Sequence, residues 1–249
     1  MPLHSLTAPL VATAGALRAL VFPMLCLGCD RRMPEGEGAP GERVGERVPL
    51  CPSCFRRLAR PAPEAARARM ARLPTDAPRP MRVTALWTFD PGGTIRRLQH
   101  TLKYHGRPGL GVALGRLVGR VVAEAEGAPG YDALVPVPLG RARLLERGYN
   151  QAERLAHGAA TAFEALPPVE GWIVRARPTR SQTALSRTRR WTNVSGAFAL
   201  APGVGALDGR RVLLIDDVLT TGATLAAAAA PLMAAGARVD LAVLACVAD

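Results

Sequence analysis

The chain has 249 residues, 49% of them apolar and 4% aromatic. This leaves room for one large domain, or a medium domain with a small appendage, and excludes an intrinsically disordered chain. Of its 32 basic residues only Lys103 is a lysine, and the formal net charge is +12. Such a bias toward arginine is also what genomic nucleotide composition produces, but a chain this basic attracts polyanions, so phosphate-bearing substrates and nucleic acid are natural partners.

The N-terminal stretch SLTAPLVATAGALRALVFP lacks a basic leader, is interrupted by Arg18 and offers no small-residue cleavage site. It reads as an amphipathic or partly buried helix rather than a secretory signal. Elsewhere no apolar run reaches the roughly 18 residues of a membrane span; the alanine-rich run after Gly222 is broken by Pro231 and Gly236. The expectation is a cytoplasmic protein without membrane insertion.

Four of the five cysteines form two pairs, Cys26-x-x-Cys29 and Cys51-x-x-Cys54, with 21 residues between them. Paired CxxC knuckles bring four thiolates to the corners of a tetrahedron, the coordination of structural Zn²⁺, and the spacer is one residue beyond the usual range. Redox pairs are the competing reading. The intervening loop is rich in Gly, Pro and Glu without a hydrophobic period, so the metal must hold the module together. Cys246, alone in an apolar run, reads as a core residue. The module spans 1–60. Five prolines and several arginines between 61 and 80 read as a linker, with a short helix over AARARMARL.

From 81 to 249 the pattern alternates. RVTALWTF reads as a strand, TIRRLQHTLKY and LGVALGRLVGRVVAEAE as helices, YDALVPVP as a buried strand and NQAERLAHGAATAFEAL as a helix. WIVRAR is strand-like, and SQTALSRTRRWT is helical with Ser181 as N-cap. RRVLLIDDV, TLAAAAAPLMAAG and ARVDLAVLACVA close the chain as strand, helix and strand. The expected fold is α/β, a mostly parallel sheet with helices on both faces, whose ligands sit outside the carboxyl ends of the strands.

Asp216 and Asp217 lie at such an end. Thr220, Thr221, Gly222, Ala223 and Thr224 follow and lead into a helix. A helix N-terminus with threonine hydroxyls cradles a phosphate, and Gly222 lets the backbone approach it. A ribose 5-phosphate satisfies both parts, its phosphate in the turn and its hydroxyls on the carboxylates.

Strand, DDxxTTGxT and helix resemble the phosphoribosyl-pyrophosphate (PRPP) motif of type I phosphoribosyltransferases. That resemblance implies a diphosphate loop after an earlier strand, which VPVPL followed by GRARLLERGYNQ fits, with Arg141, Arg143 and Arg147 meeting the diphosphate. It also implies Mg²⁺ bridging diphosphate and ribose oxygens. Lys103 is a candidate mobile contact to the diphosphate, while His100 and His105 read as surface residues.

The order of parts, a double-CxxC module, VPVPL, RGYNQA, Gln182 through Arg190-Trp-Thr-Asn193 to GAF, then IDDVLTTGATL, is similar to the ComF family of competence-associated proteins. It implies a zinc ribbon ahead of a type I phosphoribosyltransferase-like domain over nearly the whole chain. Where purine-salvage enzymes carry an aspartate three positions after the second acid, this chain has Thr220, a poor general base near neutral pH. Orotate-type enzymes carry threonine there. The residues and the resemblance leave two readings. One is a transferase that displaces pyrophosphate from PRPP, with Asp216, Asp217 and Lys103 as catalytic residues and an unassigned acceptor. The other is a binding module that handles single-stranded DNA or a competence helicase during DNA uptake.

Overall fold

The computed structural model describes residues 24–34, 47–125, 130–177 and 187–248, and of 187–190 the backbone alone. The N-terminal apolar stretch, the acidic loop between the knuckles and the segment around Ser181 and Gln182 lie outside the described residues. The chain divides into two compact units, Met1–Arg57 and Leu58–Asp249.

In the first unit an antiparallel bridge between Leu25 and Arg32 folds the first knuckle back on itself, closed by the Cys26 amide donating to the Arg31 carbonyl at 2.9 Å. The second knuckle opens helix α1, Pro52–Arg56, with Cys51 as its N-cap and proline in its first turn, where no amide hydrogen is needed. The Leu27 amide donates to the Pro49 carbonyl at 2.8 Å, tying one knuckle to the other.

The second unit starts with the proline-rich segment. Ala66, Met70, Leu73 and Ala77 recur at helical spacing; Ala66 and Met70 enter the unit's hydrophobic core from helix α2, Ala65–Ala71, and Leu73 and Ala77 from the segment after it. A span that reads as a linker from its prolines is thus part of the packed domain. Arg79 ends the helix by donating to the carbonyls of Met70 at 2.5 Å and Leu73 at 2.9 Å.

Beyond it the order is β1 (Val83–Phe89), α3 (Thr94–Tyr104), α4 (Pro108–Ala123), β2 (Ala133–Pro136), α5 (Arg141–Arg147), α6 (Gln151–Ala160), β3 (Ile173–Arg175), α7 (Arg187–Val194), β4 (Phe198–Leu200), β5 (Arg211–Leu219), α8 (Ala223–Ala234) and β6 (Arg238–Val247). Four strands form one parallel sheet in the order β1-β6-β5-β2. Strand β5 is apolar and buried from Val212 to Ile215 because both faces are covered. Val212 and Leu214 join the cluster containing Leu225, Ala226 and Ala229 of α8, and α4 and α6 pack on the sheet as well. Each large side chain so buried contributes about 1.5–3 kcal/mol. The backbones of α4 and α6 touch: a Cβ on Gly115 would lie 2.0 Å from the Leu155 carbonyl oxygen, so only glycine fits there.

Two local differences from the sequence pattern matter for the site. GRARLLERG, expected as a loop, forms the short helix α5, stopped by Gly148 at φ +75°. WIVRAR does not join the parallel sheet: β3 pairs antiparallel with β4 as a separate two-stranded ribbon, Ile173 opposite Leu200 and Arg175 opposite Phe198. Three residues of each strand make too short a signal for alternation to show which sheet they join.

Candidate functional site

The four cysteines are brought together. The sulfur atoms of Cys26, Cys29, Cys51 and Cys54 all lie within 4.8 Å of one another, with Cys29 Sγ 3.9 Å from Cys51 Sγ. A tetrahedron with metal–sulfur bonds of about 2.3 Å has edges of about 3.8 Å, so the donor set fits Zn²⁺. Amides point at the sulfurs: Cys51 donates to Cys26 Sγ at 3.2 Å and Gly28 to the same atom at 3.4 Å. The Cys54 amide brings the Cys51 thiol down to about 6, whereas burial pushes Cys54 up to about 11. The cluster therefore favours thiolate at some positions and leaves a proton for a metal to displace at another. Cys246 lies apart, buried in β6.

In the second unit the acidic pair sits inside the carboxyl end of β5, which continues to Leu219. Period-two alternation sends neighbouring side chains to opposite faces. Asp217 is 6% exposed, and Asp216 is half-buried. Helix α3 meets Asp217 with two residues one turn apart: Lys103 Nζ stands 2.5 Å from Asp217 Oδ2, and Gln99 Nε2 donates to the same oxygen at 2.9 Å. The Asp217 amide donates to Asp216 Oδ1 at 2.8 Å. Burial alone would raise Asp217, but the Lys103 ammonium and the hydrogen bonds from Lys103 and Gln99 outweigh it and bring the carboxyl down to about 2. Burial, and then the charge of Asp217, push Asp216 well above the usual carboxylate range. One carboxylate is neutralised inside the protein; the other is left short of positive charge, a position that a hydroxyl donor or a divalent cation relieves.

The turn that follows has the shape of an anion cradle. Gly222 takes φ +84° and leads into α8, whose first-turn amides have no acceptor within the helix. A Cβ on Gly222 would also lie 2.4 Å from the sulfur of Met70, so helix α2 closes the turn from behind. Thr220 is exposed, Thr221 and Ala223 are buried and Thr224 is half-buried. Arg69, 8% exposed, donates to the Thr220 carbonyl and to the Ala248 carbonyl, each at 2.8 Å, and so pins the turn to the last strand. Sequence reasoning missed Arg69, Met70 and Gln99. The helical spacing of Ala66, Met70 and Leu73, and of Gln99 and Lys103, is the signal that finds them.

The loop after β2 runs alongside. Pro136 is in register with Ile215, and the Val137 amide donates to the Ile215 carbonyl at 2.9 Å, next to Asp216. Asn150 holds the far end of this loop: its Nδ2 donates to the Val137 carbonyl at 3.1 Å while its Oδ1 caps α6. The candidate diphosphate arginines diverge. Arg147 donates to Gln151 Oε1 at 2.9 Å and stacks over Tyr104 at 5.4 Å, whereas Arg141 and Arg143 are exposed and line a cavity of about 640 Å³ shared with β3. Lys103 is on Asp217 rather than free for a diphosphate. His100 and His105 are exposed. Among the described residues no helix is long and apolar enough to cross a membrane.

Fold and site define a class: a parallel α/β domain with an acidic pair at the head of the glycine turn that opens α8, carrying a four-thiol module ahead of it. No family model matches the chain. It is 32% identical over 231 residues to the DNA utilization protein YhgH of Salmonella typhimurium, covering 88% of this chain and 94% of that protein. It is 39% identical over 94 residues to Competence protein F of Haemophilus influenzae, covering 38% of this chain and 41% of that one. A shorter match, 56% over 54 residues, links 21% of the chain to 28% of the adenine phosphoribosyltransferase of Nocardia farcinica. The chain belongs to the ComF family.

Proposed function

We propose that the second unit binds PRPP with Mg²⁺ and that the chain serves DNA utilisation and competence as a phosphoribosyltransferase-like protein. The observation that carries this reading is the acidic pair of β5 running into the Gly222 turn, with Asp217 neutralised by Lys103 and Asp216 left for a ligand. Ribose hydroxyls and Mg²⁺ suit Asp216; the 5-phosphate suits the amides and hydroxyls from Thr220 to Thr224. Arg141 and Arg147 are the diphosphate candidates. The names of the relatives support the cellular role, and the short match to an adenine phosphoribosyltransferase supports the ligand. The zinc module is structural in this reading.

The test is calorimetric titration with PRPP and Mg²⁺. Binding is expected in the native protein and is reduced at least about 100-fold, roughly two charge-assisted contacts, in Asp216→Ala/Asp217→Ala. Equal binding in that variant refutes the site. Release of pyrophosphate on adding a nitrogen nucleophile distinguishes pentosyl transfer from recognition alone.

A second reading, a non-catalytic module for single-stranded DNA with a helicase partner, is favoured by the net charge of +12 and by the relatives' names. It calls for DNA affinity that falls steeply with salt.

A further inference from the structure

The four thiols of the first unit are not equivalent. Cys26, Cys51 and Cys54 are buried, whereas Cys29, in the turn over 27–29, is exposed. Each buried sulfur accepts an N–H. Cys26 takes the amides of Cys51 at 3.2 Å and Gly28 at 3.4 Å, Cys51 takes the Cys54 amide at 3.5 Å, and Cys54 takes Arg57 Nη2 at 3.4 Å. Among the described residues no N–H donates to Cys29 Sγ, which faces Cys51 Sγ at 3.9 Å.

A metal holds all four sulfurs as thiolates. An N–H aimed at a thiolate ties up the electron pair that the sulfur would use in attack, and burial keeps reagents away. Cys29 is under neither restraint. Its approach to Cys51 matters equally, because an oxidised sulfur needs a second thiolate beside it to complete a disulfide. Exposed, ionised and next to a resolving cysteine is the arrangement that redox-sensing thiols share.

We propose that Cys29 is a modification site, the thiolate through which a small hydroperoxide oxidises the cysteine module, with Cys51 as its resolving partner. The proposal rests on the zinc reading of the four thiols. The Cys29 thiolate attacks one peroxide oxygen: an S–O bond forms, the O–O bond breaks, and the other oxygen leaves as hydroxide or alkoxide and takes a proton from solvent. Sulfur is oxidised and the peroxide is reduced. The Cys51 thiolate then attacks the sulfenic sulfur, the S–S bond forms and hydroxide departs. Cys26 and Cys54 remain as thiolates, too few donors for a tetrahedral ion, and release it. A dithiol reductant reverses the sequence, since sulfenic acid and disulfide are the reversible stages of thiol oxidation. The metal content of the module thereby follows the peroxide level.

The experiment uses full-length protein purified with its metal, the zinc first quantified by elemental analysis. One sample is pulsed with limiting iodoacetamide. Another is titrated with hydrogen peroxide beside a chromophoric zinc indicator, and the cysteines of both are mapped by peptide mass spectrometry. Cys29 is expected to alkylate at least about tenfold faster than Cys26, Cys51 or Cys54, the effect of one hydrogen bond to a charged group on each of the others. Cys246, buried in β6, is the unreactive control. Peroxide is expected to yield a Cys29–Cys51 disulfide and zinc release in step, both undone by dithiothreitol and added zinc. Cys29→His, which keeps a zinc ligand and removes the thiolate, is expected to retain zinc and to slow the peroxide-driven release by a similar factor. If that variant binds no zinc, the labelling order and the disulfide map of the native chain decide. Equal labelling of the four thiols, first reaction at a buried one, a first disulfide other than Cys29–Cys51, or release at the native rate from Cys29→His overturns the proposal. Native protein without zinc overturns the zinc reading instead, and the labelling order and disulfide map of the metal-free chain then decide the role of Cys29 by the same criteria.

Discussion

The cysteine module and the α/β unit hold themselves together by different means. Among its described residues the first buries Met33, Val48 and Leu50 beside the thiols of Cys26, Cys51 and Cys54. The second buries a sheet on both faces, with Leu213, Leu214 and Ile215 fully enclosed. Four thiols within 4.8 Å of one another are a donor set through which a metal can stabilise such a module, while the larger unit buries enough apolar surface to carry an uncomfortable pair of carboxylates.

All three tryptophans, Trp87, Trp172 and Trp191, lie in the α/β unit, so their fluorescence follows that unit alone. The largest contrast is expected on metal removal. Binding of structural zinc is worth about 10–16 kcal/mol in small modules. A strong chelator, or Cys51→Ser, is expected to expose the remaining thiols to a thiol reagent and to open residues 47–57 to protease, with the tryptophan transition unmoved. Native protein is expected to contain about one zinc per chain by elemental analysis; collapse of both units together on chelation would erase the contrast.

A smaller effect is expected at Arg69. Replacing it with methionine removes two charge-assisted hydrogen bonds to the carbonyls of Thr220 and Ala248, a loss of about 2–3 kcal/mol. It is expected to lower the denaturant midpoint followed by tryptophan fluorescence and to weaken PRPP binding, without changing thiol accessibility in the module.

The finest test is pH. Asp217, folded at about 2 against about 3.9 unfolded, contributes stability that is present above about pH 4 and lost as pH falls toward 2. Asp216 works in the opposite sense: its folded pKa is raised, so its ionised form opposes folding, and stability rises as pH falls through that raised value toward 4. The tryptophan-monitored melting temperature of the unliganded protein is therefore expected to rise from neutral pH into mild acid and to fall below about pH 4. Asp216→Asn removes the rise. Lys103→Met removes the stabilisation that Asp217 supplies above about pH 4, and with it the fall below that pH. A profile unchanged by either variant shows that the pair is not coupled as the geometry implies.

Much of this was legible in the residues because the signals were local. CxxC spacing needs only two residues per knuckle, and the run from Val212 to Thr224 carries a buried strand, two acids and a helix start in thirteen consecutive positions. Length and periodicity made α3 readable too, and its run TIRRLQHTLKY coincides with Thr94–Tyr104. Less legible were the short elements. Helix α5 has seven residues and β3 and β4 three each, too few for a period to stand out from its surroundings.

The sequence by itself determined the two kinds of region, the order of strands and helices in the second, and the residues that are candidates to meet a metal and a phosphate, because these follow from spacing and side-chain chemistry along the chain. Only the tertiary structure decided that the proline-rich segment backs the Gly222 turn, that Lys103 meets Asp217 and that Arg141, Arg143, Arg175 and Arg177 line one cavity. Those facts depend on which distant segments meet, and that is set by packing of the whole core rather than by local pattern.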